Sequence, residues 1–185
     1  MRVVDEELLN GLLRPGLAAD VSSASSSDGA AADDDAARNY RLTLNRALGI
    51  LARREHSEVE LATKLRRKGH AHEQVQRVLG HLKTENLQSD ERFAEAYVHS
   101  RIGRGYGPMH IRNELGKRGI SEVLVEQTLT RSAEFWIDIA RHALQKRFNR
   151  VPKQEAATRD HWNKQARFLA RRGFPADLIY RVLGG

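Results

Sequence analysis

Leu65-Arg66-Arg67-Lys68-Gly69-His70 returns as Leu115-Gly116-Lys117-Arg118-Gly119-Ile120 and again as Leu169-Ala170-Arg171-Arg172-Gly173-Phe174. Measured between glycines, the copies stand 50 and 54 residues apart. Apolar residues follow at matching offsets: Val75, Val78 and Leu79, then Val125 and Leu129, then Ile179, Val182 and Leu183. A fixed period of this length marks one supersecondary unit repeated in tandem, and each copy reads helix, tight turn, helix. Stacked units usually present an extended binding surface rather than a catalytic pocket.

Single residues dictate the turn. A glycine just past a helix adopts the left-handed conformation that ends it, and a Schellman ending sets the following residue against the one at C3. With Gly69, Gly119 and Gly173 at C′, the C3 residues are Leu65, Leu115 and Leu169. Their partners are His70, Ile120 and Phe174, so the apolar contact is imperfect in the first copy. Lys68, Arg118 and Arg172 fall at a helix C-terminus, where a cation complements the macrodipole.

Outward from these turns, the apolar spacing predicts an all-α chain of nine helices, three per repeat. The repeats are expected to span 40–84, 85–133 and 134–185 as a tandem array. Leu44, Leu48 and Leu51 mark the first helix, Leu61, Ala62 and Leu65 the second, and Val75, Val78, Leu79 and Leu82 the third. Ser57 with Glu60 forms a capping box. Ser89 and Ser121 are placed to cap later helices, and Pro108 suits a first helical turn. Phe93, Tyr97, Trp136 and Trp162 are expected in the core. A longer linker, 149–157, contains Pro152 and accounts for the wider second spacing.

Residues 1–39, rich in Ser, Ala and Asp, have too little apolar content to offset the entropy of ordering and are expected to form a disordered tail. Leu8, Leu9, Leu12 and Leu13 share helical spacing within it; a frayed end and a docking segment are the two readings. Residues 1–40 carry 8 acidic and 3 basic side chains, net −5, whereas 41–185 carry 16 acidic and 28 basic ones, net +12. That bias of sign over the repeats points to nucleic acid or an acidic protein surface. There is no cysteine, which removes disulfides and thiolate metal sites and favours a reducing compartment. No apolar run is long enough to span a bilayer, and the acidic start Asp5-Glu6-Glu7 is unlike a signal peptide. A cytoplasmic location is the expectation.

The basic clusters are the candidates for binding: Arg66, Arg67 and Lys68; Arg101, Arg104 and Arg112; Lys117 and Arg118; Arg171 and Arg172. Arg53-Arg54 is a further basic pair. The segment Arg101-Ile102-Gly103-Arg104-Gly105-Tyr106-Gly107-Pro108 precedes a helix N-terminus whose free amides suit an anion; the alternative is a glycine-rich linker. Tyr106 has two readings, stacking on a base and packing on the next helix. His70 and His72 do not share a helix face, His-Glu-x-x-His is absent, and no arrangement for nucleophilic or acid–base catalysis appears. No enzyme activity, metal or cofactor is expected.

Phe93-Ala94-Glu95-Ala96-Tyr97, Arg101, then Gly105-x-Gly107-Pro108-x-x-Ile111-x-x-Glu114-Leu115-x-x-Arg118-Gly119-Ile120 resembles the signature of the bacterial RecX regulators. Arg53-Arg54-Glu55-His56-Ser57-x-x-Glu60-Leu61 with Leu65-x-x-Lys68-Gly69 resembles the first-repeat signature of the same family. The likeness covers about 41–185 and leaves out the tail; His70, at a position usually apolar, departs from it. The resemblance implies a helical crescent of three repeats that binds RecA and its filament on single-stranded DNA, damping ATPase, strand-exchange and coprotease activity in DNA repair and the SOS response. A monomer with no membrane association is the expectation. The alternative is a non-specific DNA-binding repeat protein; weak binding of single- or double-stranded DNA is expected as a secondary property in either case.

Overall fold

The computed structural model of the chain describes residues 27–148 and 158–184, with side chains from residue 33 onward. The leucines at 8, 9, 12 and 13 and the linker 149–157 lie outside the described residues. Nine helices are present among those described: α1 (Ser27–Leu51), α2 (Glu58–Arg67), α3 (His72–Thr84), α4 (Asp90–Gly103), α5 (Pro108–Gly116), α6 (Glu122–Leu129), α7 (Ala133–Phe148), α8 (Arg159–Arg172) and α9 (Ala176–Leu183). No strand occurs among these residues. None of the helices is long and apolar enough to cross a membrane.

All three repeated turns carry both bonds of a Schellman ending. The amides of His70, Ile120 and Phe174 donate to the carbonyls of Leu65, Leu115 and Leu169 at 3.3, 3.2 and 3.1 Å. Those of Gly69, Gly119 and Gly173 donate to Arg66, Gly116 and Ala170, and the three glycines have φ of +87°, +80° and +83°. His70 solves the imperfect first contact with a polar bond. Its Nδ1 lies 2.8 Å from the hydroxyl of buried Thr43, which itself donates to the carbonyl of Asn39. His70 Nδ1–H therefore donates to Thr43 and ties the turn to α1.

The chain divides into two compact units, 1–89 and 90–185. The first holds one core: Leu44 and Ala47 of α1, Leu61, Ala62 and Leu65 of α2, and Val75, Val78, Leu79 and Leu82 of α3. Ser57 caps α2 by accepting from the Glu60 amide at 3.1 Å. Helix α1 begins at Ser27, so 27–39, read from composition as tail, are helical. Asp33, Asp34 and Asp35 are exposed there, and α1 turns inward only from Tyr40, whose hydroxyl meets His81 Nδ1 on α3.

In the second unit the last six helices share a single core, built around Phe93, Ile111, Leu115, Val125, Trp136, Ile137, Leu169, Phe174 and Ile179. Trp162 is only half-buried and packs on Tyr180, at 5.7 Å between ring centroids. It is therefore peripheral to the core in which it was expected.

Candidate basic surface

Each repeat ends its second helix with cations, and their surroundings divide them into two groups. Arg66, Arg67 and Lys68 in the first unit, and Arg104, Lys117 and Arg171 in the second, are exposed and make no ion pair among the described residues. The Schellman geometry explains the placement: leucine at C3 must face inward, so the residues beside it project outward.

Arg101, Arg112, Arg118 and Arg172 are half-buried and engaged internally. Arg101 donates from Nε to Tyr97 Oη at 2.8 Å and lies 3.6 Å from Glu114 Oε2. Arg118 donates to the carbonyl and carboxylate of Glu114 at 2.7 and 3.1 Å, with its guanidinium 4.6 Å from the Tyr97 ring centroid. Tyr97 donates its hydroxyl hydrogen to the same carboxylate at 2.8 Å. That bond is the largest influence holding the Glu114 carboxyl below its usual range; burial opposes it, and the charge of Arg118 adds to the lowering. Burial pushes the Tyr97 phenol up. Arg112 pairs with Glu122 and Glu126 of α6.

Arg172 belongs to a joint between α4–α5 and α8–α9. It donates to the Arg104 carbonyl at 2.6 Å and lies 4.6 Å from the Tyr106 ring centroid. Its own carbonyl accepts the Gly107 amide at 2.7 Å, and the Gly173 carbonyl accepts that of Met109 at 3.0 Å. The sequence suggested the amides at this helix start for an anion; those of Gly107 and Met109 are taken by backbone carbonyls, which corrects the anion reading of 101–108 at these two groups. Tyr106 stacks on His110 with ring centroids 4.3 Å apart, which settles its packing role.

Beside this joint lies a cavity of about 260 Å³ lined by Arg104, His142, Lys146, Arg147, Phe168 and Arg172, among others. Lys146 and Arg147 were absent from the sequence-derived candidates. The signal was present in the spacing: His142 and Lys146 are i, i+4 on α7 and so share a face.

Three family models match the chain in order: RecX first three-helix domain over 44–82, second over 89–129 and third over 134–183. The Pseudomonas putida (strain GB-1) protein named "Regulatory protein RecX" is 42% identical over 139 residues, 75% of this chain and 87% of the relative. A protein of the same name from Chromohalobacter salexigens is 44% identical over 140 residues, 74% of this chain and 88% of the relative. Among solved structures, RecX from Lactobacillus salivarius superposes with a TM-score of 0.69 at 24% identity, covering 79% of this chain and 95% of that one. A second structure, a "regulatory protein RecX", gives 0.71 at 23% identity, covering 97% and 85%; these two likenesses speak for the fold. With its three helical domains matched in sequence and in order, the chain belongs to the RecX family of regulatory proteins.

Proposed function

We propose that this chain binds RecA and RecA–single-stranded-DNA filaments and lowers their recombinase, ATPase and coprotease activities, as a regulator in DNA repair and the SOS response. The observation that carries this is the family match across all three repeats. The unpaired cations supply the contacts within each unit, Arg66, Arg67 and Lys68 in the first and Arg104, Lys117 and Arg171 in the second, and the four internally paired arginines hold the scaffold of the second. A regulator that favours one filament state over another shifts the equilibrium without catalysing any reaction. Cytoplasmic residence and a monomeric state belong to the same reading.

The test replaces Arg104, Lys117 and Arg171 together by glutamine and follows co-sedimentation with RecA filaments beside circular dichroism. Filament binding should weaken at least tenfold, about 1.4 kcal/mol, with helix content unchanged. Undiminished binding by the folded variant would remove these side chains from the interface. Non-specific DNA binding is the second reading, favoured by the net charge of +7; phosphate contacts then dominate and affinity falls steeply with salt.

A further inference from the structure

The first unit contains a second basic cavity, of about 490 Å³, whose lining includes Arg46, Arg53, His56, Lys64, Arg67 and Lys68. No acidic residue lines it. The five Arg and Lys side chains are exposed and form no ion pair among the described residues. Five like charges around one concavity repel one another and favour occupation by an anion.

His56 gives the cavity a feature that solvated charge alone does not explain. It is 2% exposed. Its Nδ1 lies 3.0 Å from the Arg54 carbonyl, so Nδ1 carries the hydrogen and donates. Its Nε2 is buried and has no hydrogen-bond partner among the described residues. An orphaned polar atom of this kind is uncommon in a folded interior. The backbone around it is held firmly: the His56 carbonyl accepts from Gln88 Nε2 at 3.2 Å, and Ser57 caps α2.

We propose that this cavity is a phosphate-binding site, in which Arg46, Arg53, Lys64, Arg67 and Lys68 supply the charge and the buried His56 ring responds to the bound anion by taking up a proton at Nε2. A phosphate is favoured over a carboxylate because it offers more oxygens to donors converging from α1, α2 and the turn after α2. The phosphate is either a phosphodiester of a nucleic-acid backbone or a free phosphate group.

The groups around His56 support proton uptake on binding. Burial holds its pKa below the usual histidine range, and the positive charges of Arg54 and Lys64 act in the same direction. The Arg54 carbonyl and Glu60 oppose them. Arg46 of α1, Arg53 just past its end, and Arg67 and Lys68 at the end of α2 add positive charge, while Gln88 is neutral. His56 is therefore neutral near pH 7 in the free protein, and an anion in the cavity reverses the balance.

The experiment is an NMR titration of the His56 ring in the full-length protein, assigned through its own backbone so that no variant of this buried residue is required. It is repeated with an oligothymidylate and with inorganic phosphate. Either probe should raise the His56 pKa by about 1 or more, the effect of an opposite charge at short range. A rise with the oligothymidylate alone assigns the site to a polynucleotide backbone, and a rise with inorganic phosphate assigns it to a free phosphate group. The doubly substituted Lys64→Gln, Arg67→Gln protein should lose the rise. Arg41→Gln, which removes one charge outside the cavity lining, should retain it. An unmoved His56 with both probes, or an equal rise in the double variant, overturns the proposal whether or not the chain regulates RecA.

Discussion

Gly69 and Gly173 occupy the same turn of their repeats, with φ of +87° and +83°. At Gly69 an added Cβ meets nothing within 4 Å, whereas at Gly173 it falls 2.3 Å from the His110 amide nitrogen and 2.4 Å from the His110 Cβ. Gly69→Ala therefore costs only the left-handed backbone penalty, about 1–2 kcal/mol. Gly173→Ala adds a backbone collision and should cost more than about 3 kcal/mol. Chemical denaturation of the two variants checks the contrast, and equal losses would mean that the close approach at Gly107 and Gly173 is not maintained in solution. The positive φ was legible from the repeat alone. The collision was not, because it depends on α5 packing against a turn more than 60 residues away in sequence.

Among the helices, the Tyr97–Glu114–Arg118 cluster connects α4, α5 and the turn that ends α5. Tyr97→Phe removes the hydrogen bond donated to the Glu114 carboxylate and the one accepted from Arg101, and should cost about 1.5–3 kcal/mol. The pH dependence follows from the lowered Glu114 pKa. Its stabilising contribution is complete above the unfolded-state value of about 4.3 and disappears as pH falls through the lower folded-state value. Glu114→Gln should be less stable at pH 7 and lose less on acidification to about pH 3 than the parent. Thermal melts across that range measure the difference, and parallel curves would show that Glu114 gains nothing from its neighbours.

The same elements show what periodicity and turn chemistry reveal. Leucines at C3 and glycines at C′ identified three helix ends. Two more endings of the same type, at Asn86 with φ +51° and Gly105 with φ +74°, escaped notice. Asn86 lacks the glycine signal, and Gly105 sits in a glycine cluster that also reads as an anion loop. Helix α1 starts at Ser27 because the alanines at 30–32, 36 and 37 favour helix and the aspartates lie towards its N-terminal end. Composition alone read that stretch as tail. The internal pairing of Arg101, Arg112, Arg118 and Arg172 was equally hidden, since their partners become visible only when the helices are packed.

For the molecule as a whole, a net charge of +7 is carried by a chain of the RecX family of regulatory proteins. The positive charge is divided between scaffold and surface: half-buried arginines secure helix joints, and exposed cations at the repeat turns remain available to a partner. The most direct measurement is single-stranded-DNA-dependent ATP hydrolysis by cognate RecA, with this protein titrated in at physiological salt beside a control for binding to bare DNA. Regulation of the filament predicts inhibition at concentrations far below those that coat the DNA. Inhibition only at DNA saturation, or unchanged hydrolysis throughout, would contradict it.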